Sequence, residues 1–219
     1  MREVEIHKDL KTLVDAEVAQ AVELILGMNS PKVALSGGTS GVLIAAGVIN
    51  ELNKANQLDE VQFFMADERF VELEDADSNL GQILGLIGDA KPNVYRFNTP
   101  SEADIQTAVS AANADLGTNF GFDLALMGCG PDGHTASLFP GHDYPDQTCV
   151  AETSSPKPPL KRISFGYSVF MNSEHVWFSA SGAEKATAVS QALIGTQALP
   201  AGKITGLTST KWFITEELA

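Results

Sequence analysis

The order of apolar and polar positions along the chain predicts helices that alternate with short strands. From 9 to 26, apolar residues recur three or four positions apart, as on the buried face of a helix. Between the helical segments lie short runs rich in apolar and β-branched side chains, which is typical of strands. We predict helices over 9–26, 40–54, 78–87, 103–116 and 183–193. We predict strands over 32–35, 61–66, 94–97, 122–127, 163–165, 176–179 and 212–215.

The strand predicted over 122–127 is apolar along most of its length. Such a run is expected for a central parallel strand that is covered on both faces. Strands that alternate with helices indicate a mostly parallel sheet, and 219 residues that are 44% hydrophobic suffice for one sizeable core. The sequence therefore predicts an α/β fold: a single domain, 1–219, with a mostly parallel sheet flanked by helices.

The composition excludes several classes of partner. The formal net charge of −14 argues against nucleic-acid binding, because phosphate backbones require a basic surface. The first ten residues have no apolar segment after their charges, and no apolar run reaches the length of a membrane span. Cys129 and Cys149 are too few for a disulfide framework and indicate reduced thiols. We expect a cytoplasmic protein that binds neither nucleic acid nor membrane; the oligomeric state stays open.

Three predicted strands end in polar or glycine-rich turns, at 36–39, 67–69 and 130–134. The carboxyl ends of parallel strands meet at one edge of a sheet, where ligands bind. We therefore expect the three turns to share one site. In the first turn, two glycines allow close approach of a ligand, and the N-terminus of the following helix attracts an anion. The alternative is a tight turn without a ligand. Its candidate substrate-binding residues are Ser36, Gly37, Gly38 and Thr39.

The third turn carries the strongest chemical signal. His134 follows Asp132 and Gly133, and a histidine beside a carboxylate at a strand end suits general acid/base chemistry. The alternative is a structural histidine that caps a following helix. We expect no catalytic or binding role for three other histidines, His7, His142 and His175, or for the thiol of Cys129. The spacing needed for a zinc site is missing, so we predict no metal.

An acidic chain must gather its cations locally to bind an anionic substrate. Arg69 ends the charged turn 67–69, which would be an ordinary solvated loop if it stood alone, and its planar fork suits an anion. Arg162 opens a predicted strand. Lys185 lies in the first turn of the helix predicted at 183–193, where only an anion compensates its charge against the helix dipole. Lys157 is a third candidate; exposed lysines without function are common.

Several motifs occur together and in a constant order along the chain. They are Leu-Ser-Gly-Gly-Thr at 35–39, Ala-Asp-Glu-Arg-Phe-Val at 66–71, Asp-Ser-Asn at 77–79, Gly-Cys-Gly-Pro-Asp-Gly-His-Thr-Ala-Ser-Leu-Phe-Pro-Gly at 128–141, Ser-Pro-Lys-Pro-Pro-Leu-Lys-Arg at 155–162 and Gly-Ala-Glu-Lys at 182–185. Together they resemble the 6-phosphogluconolactonase family, within the group that includes glucosamine-6-phosphate deaminases. The string at 128–141 is too long for a chance match.

The resemblance implies a Rossmann-like core and hydrolysis of 6-phospho-D-glucono-1,5-lactone to 6-phosphogluconate in the oxidative pentose phosphate pathway, without a cofactor. It implies that His134 is the base that activates water. Arg162 and Lys185 would hold the phosphate, and the glycine turn would pack against the ligand. The residues implied at the sugar end are Asp67, Asp132, Asn79 and Arg69. The partner expected is a small phosphorylated sugar lactone.

Two alternatives stay open at this point. One is an amino-sugar phosphate deaminase or isomerase, and the other is a sugar-phosphate sensor that has lost catalysis. Deaminases of the group carry a tyrosine after the Asp-Glu pair and an Asn-Glu-Pro segment after the histidine turn. Here Arg69 and the apolar segment 138–140 occupy those places, which favours the lactonase.

Overall fold

A computed structural model describes residues 2–99 and 104–219. Seven parallel strands form the main sheet, in the order β1, β10, β9, β6, β2, β3, β5. Their bounds are β1 Arg2–His7, β2 Lys32–Leu35, β3 Gln62–Met65, β5 Asn93–Tyr95, β6 Leu124–Gly128, β9 His175–Ala180 and β10 Ser209–Thr215. The α/β fold and parallel sheet predicted from the sequence are confirmed. The central strands are buried on both faces, as their apolar runs indicated.

The helices cover this sheet. Their bounds are α1 Leu10–Leu26, α2 Gly38–Lys54, α3 Asn79–Leu84, α4 Ile105–Leu116, α5 Tyr167–Met171, α6 Ala186–Leu193 and α7 Pro200–Lys203. Helix α2 begins two residues earlier than predicted, and α3 ends three residues before the predicted end. The predicted start of α4 at Ala103 lies outside the described residues. Within the described ranges, no helix combines the length and apolarity needed to cross a bilayer.

A second sheet, not foreseen from the sequence, has three antiparallel strands in the order β4, β8, β7. They are β4 Asp67–Arg69, β7 Cys149–Glu152 and β8 Arg162–Phe165. The charged segment 67–69 was predicted as a turn, but it pairs with β8 through three residue pairs. This is possible because the carboxylates of Asp67 and Glu68 are hydrogen-bonded inside the protein rather than solvated. The second sheet closes over the carboxyl edge of the first and brings Arg162 to it.

A buried carboxyl lies beneath the glycine turn. Glu17 of α1 is fully buried, and neither of its carboxyl oxygens has a hydrogen-bond partner among the described residues. It faces a small cavity that Ser36, Gly41 and Ser179 help to line. Burial, with a smaller contribution from the negative charge of Glu5, raises the pKa of Glu17 to about 8. The side chain is therefore a neutral acid at pH 7.

Candidate active site

One cleft brings together most of the side chains singled out from the sequence. It lies at the carboxyl ends of β2 and β6, beside the second sheet, as expected for an open α/β sheet. The predicted residues that line it are Ser36, Gly37, Gly38, Thr39, Asp67, Arg69, Asn79, His134, Arg162 and Lys185. Gly133 and Asp132 lie in the turn that carries His134 and do not line the cleft themselves. Lys157 is exposed and does not reach it.

His134 is held by Asp132. Its Nδ1 is hydrogen-bonded to Oδ1 of Asp132, and its backbone N–H donates to the same carboxylate oxygen at 3.2 Å. Burial alone would raise the pKa of Asp132, but the hydrogen bond and charge of His134 outweigh it and lower that pKa to about 2. The carboxylate therefore stays charged and engages Nδ1. This leaves Nε2 of His134 as the ring nitrogen available to a ligand or water in the cleft.

The backbone of the turn 130–134 is shaped around the imidazole. Gly133 has a φ of +82°, and its N–H donates to the carbonyl of Gly130 at 3.0 Å. A β carbon on Gly130 would lie 2.1 Å from Cε1 of His134, so only glycine allows the ring its position. The ring also packs against Phe139, with 4.8 Å between ring centroids. Residues 135–148 contain no helix, so the interpretation of His134 as a helix cap is wrong.

A tight turn after His134 reaches across to the second sheet. Thr135 and Leu138 exchange two backbone hydrogen bonds, and Ala136 between them has a φ of +48°. The hydroxyl of Ser137 then donates to Oδ2 of Asp67 at 2.6 Å. The buried hydroxyl of Thr135, which lines the cleft, has no partner among the described residues. An unpaired buried polar atom of this kind is expected to bond to a ligand or water.

Glu68 and Asn79 tie the charged strand to the glycine turn. Glu68 accepts hydrogen bonds from the N–H groups of Arg69, Asn79 and Leu80, at 2.7–2.8 Å. Burial raises the pKa of Glu68, although these three bonds oppose the shift. Asn79 donates to the carbonyl of Asp67 at 3.0 Å, and its Oδ1 lies against Gly37. A β carbon on Gly37 would approach that oxygen to 1.8 Å, which explains the glycine.

The N-terminus of α2 opens onto the cleft. Gly37 is its N-cap and offers no side chain to the first N–H groups of the helix. The hydroxyl of Ser36 is used within the fold, where it donates to the carbonyl of Leu126 at 2.8 Å. Unpaired N–H groups at the start of a 17-residue helix carry partial positive charge and bind anions.

Two arginines lie side by side on neighbouring strands of the second sheet. Arg69 was predicted at the sugar end of the ligand and Arg162 at its phosphate end, and the two residues are direct cross-strand partners in β4 and β8. Like charges in this position are destabilising unless an anion compensates them. Nε of Arg69 is buried without a partner, and its Nη1 donates to the carbonyl of Asp77 at 2.7 Å.

Arg162 is 6% exposed, and burial lowers the pKa of its guanidinium. It donates to the carbonyls of Pro159 and Lys157 at 3.0 and 2.8 Å. In the described parts of the chain, no carboxylate forms an ion pair with Arg162 or Arg69. Lys157 thus contributes its backbone carbonyl to the site rather than its ammonium group. The two guanidiniums form a positive surface on this side of the cleft, and the carboxylate of Asp67 is the strongest nearby negative charge acting on Arg162.

Lys185 completes the positive side of the cleft. It was predicted in the first turn of a helix at 183–193, but it ends a one-turn 3₁₀ helix, Ala183–Lys185, and caps α6. Burial raises the pKa of the nearby Cys129 thiol to about 12, although the charge of Lys185 opposes the shift. Cys129 is therefore an unreactive thiol, in line with its passive interpretation.

The structure adds residues that the sequence analysis did not single out, among them Gly130, Thr135 and Ser137. All three stand within the motif at 128–141, but nothing in the local sequence signals the hydrogen bond between Ser137 and Asp67. Among residues 2–99 and 104–219, no three histidine, cysteine, aspartate or glutamate side chains are grouped to hold a metal ion.

Comparison with known proteins gives consistent matches. Residues 5–212 match the family described as glucosamine-6-phosphate isomerases/6-phosphogluconolactonase. A 6-phosphogluconolactonase from Mycobacterium leprae is 32% identical, over 99% of this chain and 96% of its own length. The crystal structure of 6-phosphogluconolactonase from Thermotoga maritima superposes with a TM-score of 0.82 at 25% identity, over 99% of this chain and 100% of its own.

The fold alone does not separate the two chemistries of this family. A monomeric glucosamine-6-phosphate deaminase superposes with a TM-score of 0.81, over 99% of this chain and 98% of its own, at 17% identity. The distinction between a lactonase and a deaminase must therefore rest on the side chains of the cleft.

Proposed function

The chain belongs to the glucosamine-6-phosphate isomerase/6-phosphogluconolactonase family and is a 6-phosphogluconolactonase enzyme, and we propose that His134 is its general base. The substrate is 6-phospho-D-glucono-1,5-lactone, and the product is 6-phosphogluconate of the pentose phosphate pathway. The observation that carries the proposal is the His134–Asp132 pair. Because Asp132 engages Nδ1, Nε2 is free to take a proton from water in the cleft.

In the proposed reaction one proton moves twice, from water to His134 and then from His134 to the ring oxygen of the lactone. His134 removes a proton from water as the water oxygen bonds to C1 of the lactone. The tetrahedral oxyanion that forms is stabilised by hydrogen-bond donors, and Arg69 is a donor that lines the cleft. The bond between C1 and the ring oxygen then breaks, and the histidinium returns its proton to that oxygen. The charge of Asp132 stabilises the histidinium between the two transfers.

The phosphate is held on the positive side of the cleft. Arg162, Lys185 and the uncapped N-terminus of α2 line it, and neither Arg162 nor Lys185 has an ion-pair partner among the described residues. Charge-assisted hydrogen bonds from these groups suit a phosphate dianion. Binding the phosphate at a distance from C1 positions the ring for attack, which lowers the barrier without a chemical role for the phosphate.

The cleft does not support the alternative of a deaminase, because the glutamate expected after the histidine turn is missing. The segment after His134 that would carry a glutamate is apolar here: Leu138 is completely buried, and Phe139 packs on the imidazole. The carboxylate that is hydrogen-bonded to His134 is that of Asp132, and it contacts Nδ1 of the imidazole. An apolar pair cannot relay a proton for ring opening. A catalytically inactive sensor is disfavoured because the His134–Asp132 pair is intact.

We further propose that 1–219 acts as a single domain and that the protein works in the cytoplasm, as the sequence indicates. Both points follow from the sequence pattern, and neither affects the chemistry of the cleft.

One experiment tests activity and base together. The unaltered protein and a His134→Ala variant are each offered the lactone and glucosamine 6-phosphate, and lactone loss and ammonia are measured directly. We expect rapid lactone loss and no ammonia with the unaltered protein, and a kcat lower by roughly 10²–10⁴-fold in the variant. Ammonia release with a lactone rate no faster than buffer would contradict the activity. An unchanged kcat in the variant would remove His134 as the base.

A further inference from the structure

A second group of polar side chains lies behind the cleft. Glu152 of β7 is 3% exposed, and its Oε2 accepts a hydrogen bond from the hydroxyl of Tyr144 at 2.6 Å and contacts Nδ1 of His142 at 2.7 Å. Burial alone would raise the pKa of Glu152, but these bonds and one from the N–H of Ser154 outweigh it and lower the pKa. The carboxylate is therefore charged. Glu152, Tyr144 and His142 do not line the cleft.

Tyr144 connects this group to the segment 137–139. Its hydroxyl oxygen accepts the N–H of Phe139 at 3.1 Å and lies 3.2 Å from the carbonyl oxygen of Ser137. The single hydroxyl proton goes to the nearer, charged acceptor, Glu152, because a charge-assisted hydrogen bond is the stronger one. Through the N–H of Phe139, the Tyr144 hydroxyl thus links the segment 137–139 to a buried carboxylate.

The segment 137–139 contacts three side chains of the cleft. Ser137 donates to Asp67 at 2.6 Å. The ring of Phe139 packs against His134, and the guanidinium of Arg162 lies over the same ring, 5.6 Å from its centroid. A shift of this segment would therefore displace Asp67, His134 and Arg162 together.

We propose that Tyr144 and Glu152 are positioning residues for lactone hydrolysis, which act on His134 and Asp67 through Phe139 and Ser137. The inference rests on the proposed function, because it assigns the two residues a role in the same reaction. Their contribution lies in geometry: displacement of a reacting group by about 1 Å costs up to roughly 10²-fold in rate. Arg162 also contacts the Phe139 ring, but the carbonyls of Pro159 and Lys157 hold its guanidinium in addition, and Lys185 lies at the start of α6. We therefore expect the effect on turnover to exceed the effect on phosphate binding.

The test compares two tyrosines that differ in what their hydroxyls do. Tyr144→Phe removes the link between Glu152 and Phe139. Tyr167→Phe is the matched control: Tyr167 is partly buried beside Tyr144, with 6.3 Å between ring centroids, and its hydroxyl has no partner among the described hydrogen bonds. We expect Tyr144→Phe to lower kcat for the lactone roughly tenfold with KM changed by less than about threefold, and Tyr167→Phe to leave both unchanged.

Glu152→Gln supplies a second, independent variant. An amide oxygen still accepts the Tyr144 hydroxyl but lacks the charge, so we expect a smaller loss of kcat than in Tyr144→Phe, and no additional loss when both changes are combined. A Tyr144→Phe variant with unaltered kcat, or an equal loss in Tyr167→Phe, would overturn the inference. If the unaltered protein does not hydrolyse the lactone, the proposed function is wrong. If the unaltered protein is active but Tyr144→Phe has the same kcat, only the role of Tyr144 and Glu152 is wrong.

Discussion

Asp132 determines which nitrogen of His134 carries a proton. Its charged carboxyl engages Nδ1, so that Nε2 is the basic position facing the cleft. In an Asp132→Asn variant, the amide can donate to Nδ1 and place the proton on Nε2, where it blocks proton removal from water. We expect kcat to fall by roughly 10²-fold or more while KM changes far less.

Steady-state kinetics of Asp132→Asn beside Asp143→Asn checks this prediction. Asp143 is an exposed carboxylate whose side chain makes no hydrogen bond among the described residues, so its amide variant should behave as the unaltered protein does. Equal kcat values for the two variants would show that Asp132 does not govern the imidazole.

The contacts of a single residue could be predicted from the sequence where its partner is close along the chain. His134 and Asp132 are two positions apart, and their pairing follows from the turn that contains them. The bond between Ser137 and Asp67 spans 70 positions, and no local pattern signals it. The cross-strand position of Arg69 and Arg162 was missed for the same reason, since it depends on a strand pairing that neither segment shows by itself.

At the scale of the element, Glu68 holds helix α3 in place. It satisfies the first N–H groups of this short helix and the N–H of Arg69, and it is buried. A Glu68→Ala variant leaves these donors without an acceptor inside the protein. We expect the free energy of unfolding to fall by about 2–4 kcal/mol, since one unsatisfied buried group costs about 1–3 kcal/mol.

Urea unfolding of Glu68→Ala beside Glu74→Ala measures this contribution. Glu74 is exposed on the same connection and its side chain has no described hydrogen bond, so its removal should change stability by less than about 0.5 kcal/mol. Equal unfolding midpoints for the two variants would refute the capping role of Glu68.

Elements were predicted well where burial dominates. The central parallel strands β2, β3 and β6 are mostly apolar runs, and α1 shows helical spacing, so both could be recognised from the sequence. Strand β4 is a three-residue run of charges, and charges in a short segment resemble a solvated turn. Strand β1 was missed because it alternates polar with apolar residues at the edge of the sheet, within a segment rich in charges. In both cases the pairing partner, rather than the local sequence, decides the structure.

At the scale of the whole molecule, Glu17 makes stability depend on pH. Folding raises the pKa of this carboxyl from 4.5 to about 8, so between these values the folded protein keeps a proton that the unfolded chain releases. Stability therefore falls as the pH rises from about 4.5 to about 8, with a slope of at most about 1.4 kcal/mol per pH unit, and levels off beyond. In Glu17→Leu this component of the slope should vanish.

Urea midpoints at several pH values across that window test the prediction. Glu23→Leu is the matched control, because Glu23 lies on the same helix but is exposed. We expect the control to keep the pH dependence of the unaltered protein and Glu17→Leu to lose part of it and to gain stability at pH 8. The same pH dependence in all three proteins would contradict a neutral, buried Glu17.

The pairing of β1 with β10 has a consequence for synthesis on the ribosome. All six residues of β1 pair with β10, from Arg2 with Thr210 to His7 with Thr215, and among the described strands β1 has no other neighbour in the sheet. At roughly 5–20 residues per second, translation of the intervening 200 or so residues takes about 10–40 s. During this interval β1 has no partner, and its backbone N–H and C=O groups are open to pairing with other chains. The edge of the sheet that contains β1 can therefore form only after the segment 209–215 has been synthesised.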